Sequence, residues 1–484
     1  MGTDTKIDNY IAGRSAAPIS GAYLDNVEPA TGQVYSQVAD SDERDVEAAV
    51  TAAAAAYPAW SHTPAAERSA ILLRLADLID DNLDELARAE SVDNGKPLSV
   101  ARSVDIPRAA ANFRFFATAI VHDQSESHAT DYSAINYTLR RPRGVAGLIS
   151  PWNLPLYLFT WKIAPAIATG NTAVAKPSEV TPMTASLLGP LAAEAGLPDG
   201  VLNIVQGLGA KVGNAITGHP QIPTISFTGG TLTGAAVAQS AAAQFKKVSL
   251  ELGGKNATVI FDDADLDQSL PEIVRSAFAN QGQICLCGSR LLVQRGLFDE
   301  FRTRFVAAAK ELRVGDPLSE DSDQGALVSR PHWEKVCSYV DVARSEGGTV
   351  ECGGAPPAQL PERCKNGFFL EPTVITGLDP QCRTNQEEIF GPVVTLTPFH
   401  DEAEALAIAN STRYGLATSI WTSDLGRAHR VAEQIHAGTV WINCWMLRDL
   451  RVPFGGMKHS GVGREGGDEA LRFFTEPKNV CVKM

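Results

Sequence analysis

Along this chain the spacing of apolar and polar positions changes character several times. Residues 7–39 alternate weakly, and Pro29, Ala30, Thr31 and Gly32 form a turn signal, so short strands are expected there. Asp40 and Glu43 have capping-box spacing. They open an alanine-rich helix expected to reach about Ala56, with Pro58 stopping it. A second helix begins within residues 63–67, because Ile71, Leu72, Leu75, Leu78 and Ile79 recur at helical spacing. A third covers roughly 100–119, bent or begun at Pro107. Residues 123–142 are polar and then alternate through Tyr132, Ile135, Tyr137 and Leu139, which reads as a solvated hairpin.

From 144 to about 254 the pattern becomes strand, helix, strand, helix. The runs GVAGLIS, TAVAKPS, VLNIVQG, TISFTGG and KVSLELGG read as strands. Helical segments at about 158–168, 182–195, up to 217 and 233–243 separate them. This alternation predicts an α/β fold with a parallel sheet of the dinucleotide-binding type. A second α/β unit follows, with a strand at 256–261, a helix at 266–281, a strand at 290–294 and a helix at 297–312. Helix and strand signals continue through His436, VWINCW is strand-like, and the tail FFTEPKNVCVKM ends in a strand.

The length of 484 residues suggests two or three domains, and 44% hydrophobic with 20% charged residues is ordinary for a soluble globular protein. The formal net charge of −14, with no basic stripe, argues against nucleic acid as a partner. An anionic substrate therefore needs locally placed arginines. The N-terminus MGTDTKIDNY lacks a basic region followed by an apolar run, so no secretory signal is expected; Lys6 stands where a Met-Gly myristoylation motif needs Ser or Thr. No apolar run is long enough to span a membrane. The 8 cysteines are scattered without a CxxC pair, so no metal site is expected, and free thiols fit a reducing cytoplasm.

Chemistry concentrates in FANQGQICLCGSR, residues 278–290. Its Cys285 reads either as a small buried hydrophobe or as a nucleophile. Gly282 interrupts a helix-like run beside it. Upstream, LELGGK offers the carboxylate of Glu251, and SPWN ends a strand-like run in the amide of Asn153. The three could serve as nucleophile, base and oxyanion donor. Two glycine loops compete to cradle a phosphate: Gly207 and Gly209 with Gly213, and Gly229 and Gly230 with Gly234. Each follows a strand and precedes a helix, and the pattern alone does not choose.

Seven motifs in order carry a resemblance to the aldehyde dehydrogenase superfamily: SPWN (150–153), KPSE (176–179), FTGG (227–230), LELGGK (250–255), NQGQIC (280–285), EEIFGPV (387–393) and PFGG (453–456). The resemblance implies a Rossmann-type NAD-binding domain over 1–122 and 143–253 and an α/β catalytic domain over 254–453. Segments 123–142 and 454–484 would form a small oligomerisation sheet in a homodimer or homotetramer. It implies that Cys285 attacks an aldehyde, Asn153 holds the oxyanion and Glu251 activates water. Gly229, Gly230 and Gly234 would take the pyrophosphate, with Gly209 near the adenine. Gly230 stands where the family usually has serine. Lys176 and Glu179 would face the adenosine ribose, a carboxylate there favouring NAD over NADP. Trp152, Leu252, Glu388 and Phe390 complete the implied cofactor contacts.

Arg108 in DIPR and Arg448 in NCWMLR fall where the resemblance places a substrate tunnel, with Arg451 as an alternative to Arg448. A pair of arginines there suggests capture of a carboxylate. DIPR, SPWNLPLY, ICLC and NCWMLRDLR resemble the branch that oxidises 2-aminomuconate and 2-hydroxymuconate semialdehydes. The arginines argue against a cation such as betaine aldehyde, and a neutral aliphatic aldehyde is the other alternative. The presence of Cys285, Glu251 and Asn153 together argues against a silent nucleotide-binding protein on the same fold. Retention of Glu251 favours hydrolysis over a phosphorylating or CoA-acylating variant.

Overall fold

A computed structural model describes residues 5–484; the N-terminal Met-Gly lies outside the described residues. Five strands form the parallel heart of the first sheet: β1 (Val145–Ile149), β2 (Thr172–Lys176), β3 (Leu202–Ile204), β4 (Thr224–Thr228) and β5 (Lys247–Glu251). All five lie within the expected runs. β1 and β2 are buried along their whole length, as apolar strands covered on both faces must be. Their order is β5-β4-β1-β2-β3, so the chain runs outward on one side of β1 and returns on the other. That reversal opens a crevice beyond the carboxyl ends of β1 and β4, the standard position for a ligand in such sheets.

The sheet is wider than its parallel core. Asn9–Ile11 and Arg14–Ala16 extend the β3 edge, and Gly461–Val462 pairs antiparallel with β5. Segment 454–484 is therefore divided. Only Thr475–Lys483 joins the hairpin of Ser127–Thr130 and Ala134–Pro142, in a mostly exposed three-stranded antiparallel sheet.

The second unit holds β6 (Ala257–Ile260), β7 (Arg290–Gln294), β8 (Thr349–Cys352), β9 (Thr373–Thr376), β10 (Val393–Phe399), β11 (Ala417–Trp421) and β12 (Thr439–Ile442). Their order is β8-β9-β10-β7-β6-β11-β12, parallel except for β8 at one edge. Among the described residues no helix is long and apolar enough to cross a membrane.

The first helix departs from expectation at both ends. It runs Glu43–His62, capped by Asp42, whose partner in the capping box is Asp45. Pro58 does not stop it. Trp60 lies beyond the proline, fully buried, and its indole N–H donates to the Ile167 carbonyl at 3.1 Å. Burial of that ring outweighs the hydrogen bond lost at proline, which costs about 3 kcal/mol. Helix Ala65–Asp81 forms as expected, whereas Leu83–Asn94 was not foreseen. Around Pro107 the chain widens into a π-turn, Ala101–Asp105, and then runs as Ile106–Val121. The proline thus sits in the first turn of a new helix, where its missing N–H is unneeded.

Candidate active site

The helix expected to reach Gln281 stops earlier. Leu266–Phe278 ends, and Asn280, Gln281 and Gly282 all take left-handed backbone with φ of 52°, 56° and 67°. This turn ends the helix and leads into Cys285 in a half-buried loop. A Cβ on Gly282 would lie 2.1 Å from the Gly391 carbonyl oxygen, so the turn packs directly against the backbone of the EEIFGPV motif. Gly282→Ala should therefore displace the loop. The expected result is about 1–3 kcal/mol of lost stability with a fall in kcat of about 10²-fold, read by thermal melting and turnover.

Below the thiol, Asn256 clamps the loop. Its Nδ2 donates to the carbonyls of Cys285 at 2.7 Å and Cys287 at 2.9 Å, and its Oδ1 accepts from the Ala417 N–H at 3.1 Å. Asn153 is buried after β1, and its Nδ2 donates to the Gln283 carbonyl at 2.9 Å. Glu251 ends β5, is 4% exposed, and has one carboxyl oxygen without a partner. Gly455 of PFGG makes room for that oxygen, since a Cβ there would lie 2.7 Å from it.

Burial pushes the Glu251 carboxyl well above the usual carboxylate range. Glu465 raises it further, against the opposing charges of Lys162, Arg464 and Arg448. Lys162 donates to Glu465 at 2.8 Å and to Ser226 at 3.0 Å, a buried pair whose charges act on Glu251. The Gly461–Val462 strand brings Glu465 there. Burial, with Glu251 and Glu388 adding, pushes the Cys285 thiol up to about 12, and Arg448 opposes this. The resting group is a thiol, and a base must remove its proton before attack.

A cavity of about 240 Å³ occupies the crevice between β1 and β4. It is lined by Trp152, Asn153, Gly229, Gly230, Leu252, Cys285, Glu388 and Phe390, together with His332 and Lys335. Helix Thr231–Ala242 starts at the cavity's edge with Gly230 as its cap, and the hydroxyls of Thr228 and Thr231 are buried without partners. A Cβ on Gly234 would meet Leu252 at 2.4 Å, so this glycine lets the helix pack onto the strand end. At Gly230 a Cβ would meet nothing, and nothing in the packing requires glycine there.

Glu388 accepts from the Gly254 N–H at 2.9 Å, and a Cβ on Gly253 would lie 2.1 Å from its other oxygen. Phe390 has φ 63° and packs edge-on to Trp152 at 5.3 Å. His332 joins them, 4.8 Å from Trp152 and bonded to the Phe390 carbonyl at 2.7 Å; burial lowers its pKa to about 4, so it is neutral. Further along the sheet, Lys176 holds Glu179 at 3.0 Å. Burial would raise the Glu179 carboxyl, but Lys176 and nearby N–H groups, Gly209's among them, leave it lowered. The Gly209 loop thus lies at the Lys176–Glu179 end, and Gly229–Gly230 lie at the cysteine end.

Arg108 and Arg448 line neither this cavity nor an apolar one of about 310 Å³, and instead flank Tyr157, which lines the second. The Arg108 guanidinium lies 5.0 Å over the Tyr157 ring and 5.5 Å over Trp161. That of Arg448 lies 3.9 Å over Phe454 and donates to the Tyr157 hydroxyl at 3.4 Å. Neither meets a carboxylate among the described residues, and Nη2 of Arg108 is buried without a partner. Burial lowers the Arg108 pKa, and the charge of Arg448 adds to this. Arg451 is different: it is exposed and bound to Asp449, so the alternative to Arg448 loses its support. No three of His, Cys, Asp or Glu gather as a metal site among the described residues.

Sequence reasoning missed Asn256, Lys162, Glu465, His332 and Lys335. Lys162 and His332 had no local signal, since each stands in an unremarkable helix. Asn256 directly follows LELGGK and could have been weighed as part of that motif.

Comparison with known proteins gives the family. The aldehyde dehydrogenase family matches residues 17–480. The 2-aminomuconic semialdehyde dehydrogenase of Danio rerio is 52% identical over 479 residues, covering 99% of this chain and 98% of that protein. The 2-hydroxymuconic semialdehyde dehydrogenase of Pseudomonas sp. strain CF600 is 48% identical over 485 residues, covering 99% and 100%. The crystal structure of PnpE, from Pseudomonas sp. WBC-3, in complex with nicotinamide adenine dinucleotide superposes with a TM-score of 0.96 at 42% identity, covering 98% of this chain and 97% of that one. The chain belongs to the aldehyde dehydrogenase family.

Proposed function

We propose that this enzyme oxidises a carboxylate-bearing unsaturated semialdehyde, of the 2-aminomuconate or 2-hydroxymuconate 6-semialdehyde class, to the acid with NAD. The observation that carries the substrate class is the pair Arg108 and Arg448 around Tyr157, two cations without a carboxylate of their own. Both arginines are half-buried, and the unpartnered Nη2 of Arg108 is fully so; a substrate carboxylate would supply the missing partner. Relatives named for such semialdehydes support the same reading.

The residues fit NAD. The unpartnered hydroxyls of Thr228 and Thr231, beside Gly229 and Gly230 at a helix N-terminus, suit a pyrophosphate. Lys176 and Glu179 suit the adenosine ribose, with Gly209 at the adenine, and Glu388 suits the second ribose. Trp152, Leu252 and Phe390 suit the nicotinamide side. The Glu179 carboxylate repels a 2′-phosphate, which favours NAD over NADP. When bound, NAD accepts the hydride that leaves the thiohemiacetal carbon.

The chain's own residues do the rest. The Cys285 thiol gives its proton to Glu251, and sulfur bonds to the aldehyde carbon. The oxyanion faces Asn153 Nδ2 and the Cys285 N–H. After oxidation the carbon is held as a thioester. Glu251 first releases the thiol's proton to solvent; it then takes a proton from water, the water oxygen bonds to the carbonyl carbon, the C–S bond breaks as that proton passes to the sulfur, and the acid leaves. Burial and Glu465 raise the Glu251 pKa, which makes the carboxylate a stronger base than an exposed one. The exposed sheet of Ser127–Thr130, Ala134–Pro142 and Thr475–Lys483 is read as the contact of a homodimer or homotetramer in the cytoplasm, where the eight free thiols stay reduced.

The test compares NADH formation from 2-hydroxymuconate semialdehyde, a neutral aldehyde and betaine aldehyde. Preference for the acid is expected. In Arg108→Ala or Arg448→Ala, KM for the acid should rise about 10- to 100-fold, the cost of a lost charged hydrogen bond, with a much smaller change for the neutral aldehyde. Equal changes for both substrates remove the carboxylate argument.

A further inference from the structure

Behind Asn153 lies a cluster that the mechanism has not used. Glu90, Lys96 and Asp105 have side chains that are completely buried. Lys96 Nζ bonds Asp105, lies 3.7 Å from Glu90 Oε1, and donates to the main-chain carbonyl of Asn153 at 3.1 Å. Glu90 Oε2 accepts from the Leu156 N–H at 3.3 Å, in the first turn of the helix that follows Asn153, and from the Thr184 hydroxyl at 2.9 Å. Two more donors hold the same short stretch. Asn94 Nδ2 bonds the Trp152 carbonyl at 2.8 Å, and Asn280 Nδ2 bonds the Asn153 carbonyl at 3.0 Å. The backbone of Trp152 and Asn153 is thus fixed mainly from segment 94–96.

Burying one ammonium with two carboxylates is expensive unless each has a purpose and a partner. Glu90 Oε1 and Asp105 Oδ1 are both without a hydrogen-bond partner. Burial pushes Glu90 up to about 7 and also raises Asp105, while Lys96 opposes both shifts. Asp105 reaches the ammonium because it ends the π-turn Ala101–Asp105, a distortion that recurs at functional sites.

We propose that Lys96, held by Glu90 and Asp105, is a positioning residue that fixes the Asn153 main chain so that its side-chain amide meets the oxyanion on the cysteine-bound substrate. The proposal rests on the reading of Asn153 as an oxyanion donor. Lys96 touches neither substrate nor cofactor, so its effect should vanish when the amide is absent.

The experiment is a double-mutant cycle in the full enzyme with NAD and the preferred aldehyde, in which kcat and KM are measured separately. Asn153→Ala alone should lower kcat about 10²–10³-fold. Lys96→Met in the presence of Asn153 should lower kcat at least about tenfold with KM nearly unchanged. In the Asn153→Ala background it should lower kcat less than about twofold. If Lys96→Met does not fold, Asp105→Asn loosens the ammonium without removing it and is put through the same cycle. Equal losses with and without the Asn153 amide would make the cluster merely structural and overturn the proposal. No loss in Asn153→Ala alone would overturn the oxyanion reading and the proposal with it.

Discussion

Cys285→Ser should lose NADH formation by more than about 10³-fold, the scale seen when a nucleophile is removed. The oxygen is a far weaker nucleophile than sulfur once deprotonated fractions are compared, and the alkoxide is a poorer leaving group in the hydrolysis step. The second thiol cannot take over. Cys287 is buried, its Sγ faces the Ala279 carbonyl at 3.7 Å, and unlike Cys285 it does not line the cavity. Binding of NAD should survive the change, because cavity contacts other than the sulfur remain. Turnover persisting near the wild-type rate would sink the assignment of the nucleophile.

Glu251→Gln should lower steady-state turnover about 10²–10⁴-fold, the range for a lost general base. The amide keeps the shape but cannot take a proton from water, so a thioester should accumulate and appear as added mass on the protein. The pH dependence follows from the sign of the shift. Burial and Glu465 hold the proton on Glu251 well above the ordinary carboxylate range, and the base works only when deprotonated. Wild-type turnover should therefore climb as pH rises through that raised pKa, and the variant should lack the climb. A variant with normal turnover and no adduct would remove Glu251 from the mechanism.

The glycines show how sequence and structure divide the information. Gly282, Gly253 and Gly455 stand in three different motifs. Each is glycine because another segment, distant in sequence, comes within bonding range of where its Cβ would be: Gly391, Glu388 and Glu251 respectively. The sequence marks such positions, but the contact that explains them exists only after folding. The same holds for Pro58, whose local preference lost to the burial of Trp60.

By itself the sequence determined the alternation of strands and helices over 144–254, because strands buried on both faces must be continuously apolar. It also determined the positions of Cys285, Glu251 and Asn153, since their motifs lie at strand ends and loops where the chain is short of regular structure. It left open which glycine loop meets a phosphate; the Gly209 loop sits beside Glu179, while Gly229 and Gly230 line the cysteine's cavity. Tertiary structure alone decided that Arg448, not Arg451, turns inward, and that Lys162 with Glu465 stands beside Glu251. It also decided that Lys96 reaches Asn153 from behind. Those choices depend on desolvation and on approach between residues up to hundreds of positions apart, quantities with no period along the chain.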